Sequence, residues 1–240
     1  MSPLHYTQYK KLWFKAVHLT IAAQIRDKMK TVNEKSVVME HLQWRLAFNL
    51  YSAGEYLEAL PMLEKVASQE EICFSDDENI TSLVHQTAGR CACQLFHATS
   101  QHSHLERAYI HYQNAVETMV INLYTMFKLP LLLLEFGRVM EYYGAFEAAH
   151  DIYGRILKGF PNFRGYFDAL YRTAIVGRHL ASLLTEESAR EESLNKCLDV
   201  LQFLLEALPP TLVDVSTILY CILYILVLYL LYVYLCAFNY

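Results

Sequence analysis

The sequence predicts an all-α protein, and three observations carry that expectation. Apolar residues recur three or four apart near the N-terminus, as at Tyr9, Leu12, Ala16, Leu19 and Ala23, which is the spacing of one helix face. No strand-like alternation of apolar and polar residues is sustained anywhere along the chain. One helix-turn-helix pattern, clearest from Leu131 to Phe163, occurs a second time in register around Gly54. With 8 Gly and 6 Pro in 240 residues, helices meet few breakers, and the length suits one large or two small domains.

Residues 1–39 are expected to form an N-terminal helix whose apolar face must cover something, and packing on the elements that follow is the natural use of it. The first pair spans about residues 40–73. Trp44, Leu46, Ala47 and Leu50 lie on its first helix, Ala53-Gly54-Glu55-Tyr56 makes the turn, and Ala59, Leu63 and Val66 mark the second helix. A weaker pair follows. Its first helix lies around Ala88-Gly89 to Phe96 and its second carries Leu105, Ala108, Tyr112 and Ala115, with a long turn of Ser, Gln and His between them and no glycine there.

From Leu131 to Phe163 the spacing has a physical account. Gly137, after Phe136 and before Met140, and Ala149 are small where two antiparallel helices touch. Phe146 and Tyr153 fill the gap beside them, ahead of Ile156. Gly144 can take the positive φ that ends the first helix, and Pro161 lacks the N–H that would let the second continue. A last degenerate pair starts at Arg164 with Phe167, Leu170 and Ala174, then shows a polar insert from Thr185 to Glu192 and a helix ending at Pro209-Pro210. Ser188 and Glu191 have the spacing of a capping box, so a new helix is expected to start there.

Residues 211–240 are a different material. Asp214 is the last charged residue, and the 26 positions from Val215 to Tyr240 hold none. Such a run is long enough to span a hydrocarbon core, which makes a C-terminal membrane anchor one reading. Tyr at 220, 224, 229, 232, 234 and 240 is spread along the segment rather than gathered at its ends, and no Lys or Arg flanks it. A buried final helix and an aberrant or truncated ending are the other two readings.

The paired pattern resembles the tetratricopeptide repeat, whose unit of about 34 residues has a Leu-Gly pair, an aromatic, a later Ala, a large apolar residue and a terminal Pro. The resemblance covers about residues 36–210, with two specific copies and two degenerate ones. It implies an α-solenoid of antiparallel helix pairs, 40–210, in which the first helix of each pair lines a concave groove for a partner peptide or helix. By register the groove takes His41, Trp44, Phe48 and Tyr51, then Leu134, Arg138, Glu141 and Tyr142, then Asp168 and Arg172. Of these, Trp44, Phe48, Tyr51, Arg138, Glu141, Tyr142 and Arg172 are the expected partner-binding residues, being aromatic anchors with a few charges. For Trp44 and Phe48 a second reading stands beside this one, in which they pack under the N-terminal helix. Some members of the family clamp a C-terminal carboxylate with a Lys and an Asn four apart; Arg45 and Asn49 have that spacing, displaced by one position and without the Lys.

Composition narrows the function classes. With 20 basic against 25 acidic residues, an extended nucleic-acid footprint is not expected. The six Cys, at 73, 91, 93, 197, 221 and 236, form no secreted framework, so reduced thiols and a cytoplasmic location are expected. On that ground the sequon Asn79-Ile80-Thr81 is expected to be unused. Cys91, Cys93, His97, His102, His104 and His111 are the one group with metal-ligand chemistry, but Cys91 and Cys93, two apart on a helix, point different ways. No nucleophile motif, phosphate loop or dinucleotide fingerprint occurs, and His150 beside Asp151 does not face it on a helix. A non-catalytic scaffold with no cofactor and no metal is the expectation.

Overall fold

Helix follows helix along the computed structural model of the chain, which describes residues 3–34, 36–69, 79–122 and 125–207. Among them are nine α-helices: α1 (Pro3–Met29), α2 (Val37–Ala53), α3 (Tyr56–Ala67), α4 (Ile80–Thr99), α5 (His102–Glu117), α6 (Leu129–Tyr143), α7 (Phe146–Gly159), α8 (Tyr166–Leu183) and α9 (Glu187–Ala207). A 3-10 turn at Thr125–Phe127 precedes α6, and no strand occurs among the described residues. The all-α class is therefore as the sequence predicts. The chain divides into two compact units, Met1–Leu132 and Leu133–Tyr240, with the boundary inside α6.

In the first unit, α1 to α5 pack each on the next. Ser36 caps α2, its hydroxyl accepting from the Met39 N–H at 3.2 Å, and Gly54 ends that helix at φ +85. Leu42, Leu46, Leu50, Ala59, Leu60, Leu63 and Val66 form the α2/α3 core. Between α4 and α5 the expected long turn is only Ser100-Gln101. Ser100 takes the left-handed conformation itself, at φ 56, and its N–H bonds the Phe96 carbonyl, so it does what glycine does in the other turns. His102 and His104 consequently belong to α5 rather than to a loop. Gly89 on α4 faces Tyr112 on α5 so closely that a Cβ there would stand 2.9 Å from the ring.

The face of α1 also differs from the expected one. Leu12, Ala16 and Ala23 are exposed, Leu19 is half-buried, and the buried residues are Ala22 and Ile25; the Tyr9 side chain lies outside the described residues. The rotation has a cause. His18 Nδ1 and Asn49 Oδ1 share a hydrogen bond at 2.9 Å, which turns the His18–Ala22–Ile25 stripe toward α2.

In the second unit the pairing from Leu131 to Phe163 is as predicted. Gly144 has φ +76, Ala149 and Tyr153 are fully buried, and a Cβ on Gly137 would fall 2.7 Å from Tyr153 Cζ and nearer still to Cε1. Phe146, expected in the same gap, instead stacks on His179 of α8, with centroids 4.5 Å apart and planes 4° from parallel. In the last pair, Gly177 on α8 receives Cys197 of α9, whose sulfur would be 2.9 Å from an added Cβ. Ala174, Cys197, Leu201 and Leu204 make the core there. Most of the polar insert is helix: α9 starts at Glu187, so Ser188 sits inside the first turn and its hydroxyl bonds Glu186 at 2.9 Å instead of capping. Residues 208–240, and with them the predicted apolar segment, lie outside the described residues. Among those described, no helix is long and apolar enough to cross a membrane.

Candidate partner-binding surface

Four of the residues placed in the groove by register meet in one network in the second unit. Arg138 and Glu141 stand one turn apart on α6, and Asp168 and Arg172 one turn apart on α8. Arg138 bonds Asp168. Arg172 reaches both Glu141 oxygens, at 3.0 and 3.2 Å, and its Nε donates to Asp168 at 3.1 Å. The Tyr153 hydroxyl, coming from α7, donates to Glu141.

Electrostatics fix the charge states. Burial works against the Arg172 charge, but Glu141, Tyr153 and Asp168 outweigh it and raise its pKa. Burial, with Glu141 beside it, pushes the Tyr153 phenol up, so it stays a donor. Two cations and two anions alternate, and the strip carries no net charge of its own. Tyr142 is exposed beside it in sequence, while Leu134 is buried and faces Gly165, so Leu134 belongs to the core rather than to a groove.

In the first unit, α2 carries His41, Trp44, Phe48 and Tyr51. Trp44 is half-buried and packs on Val66 and Val84 with Ala67 and Ile80, so it covers the α3/α4 seam. Phe48 is 40% exposed and lies 5.6 Å from the Trp44 ring, centroid to centroid. The Tyr51 ring stands 5.8 Å from that of Tyr56, half-buried. Asn49, of the Arg45/Asn49 pair, is buried; its amide donates to the Arg45 carbonyl at 2.7 Å while its oxygen is engaged with His18. Its hydrogen bonds are spent within the protein.

A second polar cluster joins α3, α4 and α5. Arg107 of α5 grips Glu64 of α3 with two bonds, at 2.7 and 2.5 Å. His111 Nε2 lies 3.4 Å from Glu64 and its Nδ1 meets His85 Nδ1 of α4 at 3.0 Å. Two facing ring nitrogens at that distance share a single proton, so one donates and the other accepts. Burial lowers the His85 pKa to about 4, with the His111 charge adding to the effect; burial likewise lowers His111, against the pull of Glu64. For Glu64, burial is outweighed by Arg107 and His111, which hold the carboxyl below its ordinary value. Three helices contribute to this cluster, which no local spacing could signal.

Of the six residues with metal-ligand chemistry, His111 is bound up with His85 and Glu64. Cys91 is buried and its thiol bonds the Tyr56 carbonyl at 3.4 Å. Burial raises its pKa to about 12, which keeps it a thiol rather than a nucleophilic thiolate. Among the described residues, no three His, Cys, Asp or Glu side chains gather as a metal site would require. Asn79 of the sequon is buried too, its side-chain oxygen accepting from the Val120 N–H at 2.9 Å, so the folded chain uses it as a structural link. No family model matches the chain, and no curated protein matches it.

Proposed function

We propose that the chain is a non-catalytic, tetratricopeptide-type scaffold that holds a partner's peptide or helix along the first helices of its pairs. The observation that carries this reading is the joining of α6 to α8. They are the first helices of consecutive pairs, and Arg138 and Glu141 of one are bonded to Asp168 and Arg172 of the other. A row of first helices held side by side is what a solenoid needs to present one continuous face. Because the ionic strip is internally matched, it favours a partner that adds hydrogen bonds and apolar contacts over one that brings net charge. Phe48 and Tyr51 are the aromatic contacts of the first unit in this reading, with Trp44 beside Phe48, and Tyr142 is that of the second. Phe48→Ala with Tyr142→Ala should abolish partner capture from lysate while leaving the melting curve in place. Undiminished capture by that variant would sink the reading.

The composition of residues 215–240 favours a second reading, a tail-anchored membrane component that displays the repeats to the cytosol. A reporter fused to 211–240 should then resist carbonate extraction from membranes; a soluble reporter would refute it.

A further inference from the structure

α1 is longer than the helix it packs against, 27 residues to 17, or about 40 Å to about 26 Å. Lys15 meets Glu55 at 2.9 Å, just past the end of α2 at Ala53. The stretch from Pro3 to Phe14, about 18 Å of helix, therefore runs on past α2.

This overhang has its own chemistry. The sequence up to Arg26 contains Lys10, Lys11, Lys15 and Arg26 and no Asp or Glu, in a chain whose formal charge is -5. Leu12, Trp13 and Phe14 are 67%, 56% and 51% exposed. Consecutive positions on a helix are about 100° apart, so these three side chains leave it on three sides. Between the overhang and the α2–α3 turn lies an open cleft of about 590 Å³, lined in part by Lys10, Lys11, Phe14, Lys15, Ser52 and Tyr56.

We propose that the N-terminal overhang of α1 is a docking element for an anionic lipid surface. Leu12, Trp13 and Phe14 enter the boundary between headgroups and acyl chains, and Lys10 and Lys11 face the anionic headgroups. Lys15 contributes less, because Glu55 already faces it. Charge complementarity calls for an anionic partner, and geometry selects a lipid one. Leu12 and Trp13 leave the helix outside the cleft lining and about 100° apart, a pair that a fluid boundary takes in without a preformed pocket. Tryptophan is also at home at that boundary. The proposal goes beyond the scaffold reading and does not depend on it.

The chain holds two tryptophans, so Trp44→Phe leaves Trp13 as the sole reporter in the full-length protein. Its emission should shift to the blue on vesicles of phosphatidylcholine containing phosphatidylserine. Binding to them should exceed binding to phosphatidylcholine alone, weaken in high salt, and fall about five-fold for each of Lys10→Gln and Lys11→Gln. Circular dichroism checks that these exposed substitutions leave the fold unchanged. Equal binding to both vesicle types with unmoved Trp13 emission would overturn the proposal, and would mean that any membrane contact comes from elsewhere in the chain. A shift produced by soluble polyglutamate but not by the anionic vesicles would overturn it in favour of an acidic polypeptide.

Discussion

Replacing Gly137 with alanine adds one methyl group at the tightest point of the α6/α7 seam. The added carbon would stand 2.7 Å from Tyr153 Cζ, well inside van der Waals contact. Tyr153 has nowhere to go: it is fully buried, and its hydroxyl is held by Glu141, which is held in turn by Arg172. The two helices must separate, and overpacking of this kind costs about 1–3 kcal/mol. Against that, alanine in a helix interior is worth about 1 kcal/mol over glycine, so the net loss is between about 0 and about 2 kcal/mol, or up to roughly 8 °C in Tm for a chain of this size. Gly154, on α7, is the internal control. Nothing lies within 4 Å of its added carbon, so Gly154→Ala should stabilise by about 0.5–1 kcal/mol. The same chemical change on paired helices is thus expected to differ by the overpacking cost of about 1–3 kcal/mol, read from urea midpoints followed by circular dichroism. In a Tyr153→Leu background the Gly137→Ala penalty should shrink, as a double-mutant cycle would register. An unchanged penalty in that background, or a Gly137→Ala protein stabilised as much as Gly154→Ala, would show that this contact does not set the seam.

The turns provide a matched pair of tests: Gly144→Ala should destabilise by about 1 kcal/mol because φ is +76 there, and Ser100→Gly should stabilise by up to about 1 kcal/mol by relieving a non-glycine residue at φ 56. Thermal melts of the two variants must move in opposite directions. The buried His85–His111 contact predicts a pH dependence. His85 has a folded pKa of about 4, below its unfolded value of about 6.5, so its stabilising contribution is complete above pH ~6.5 and is lost as the pH falls toward 4. Glu64, also lowered, acts in the same direction. Denaturation midpoints measured from pH 7 to pH 4 should fall for the wild type and fall less for His85→Gln; parallel curves would remove the histidine pair as the cause.

Legibility from sequence followed locality. The hairpins around Gly54 and Gly144 were readable because a turn glycine, a small seam residue and the large residue opposite lie within a few turns of one another. The Ser100 turn was not, since serine enters the left-handed region only when flanking helices impose it. On α1 periodicity marks a stripe without saying which one the neighbour takes: His18 bonds Asn49 and the buried stripe follows it, while Leu12 lies beyond the end of α2. Arg138, Glu141, Asp168 and Arg172, placed by register on α6 and α8, are bonded to one another, but register could not show that Leu134 is core or that Trp44 covers the next seam. Glu64, His85, Arg107 and His111 come from three helices and leave no mark in any short window.

The seams also govern which helices can marry. Gly89 accepts Tyr112, Gly137 accepts Tyr153 and Gly177 accepts Cys197, while Ala47 and Leu63, both fully buried, hold the corresponding places in α2 and α3. Tyr153 offered to Ala47 would strike its methyl group, and Leu63 offered to Gly137 would leave a hole. Arrays of similar units are prone to pair with the wrong neighbour while folding. Here each helix is keyed to its own partner by the volume of one side chain, so the choice of partner is written in a handful of small residues, and moving a single helix between hairpins would require both halves of a key to travel together.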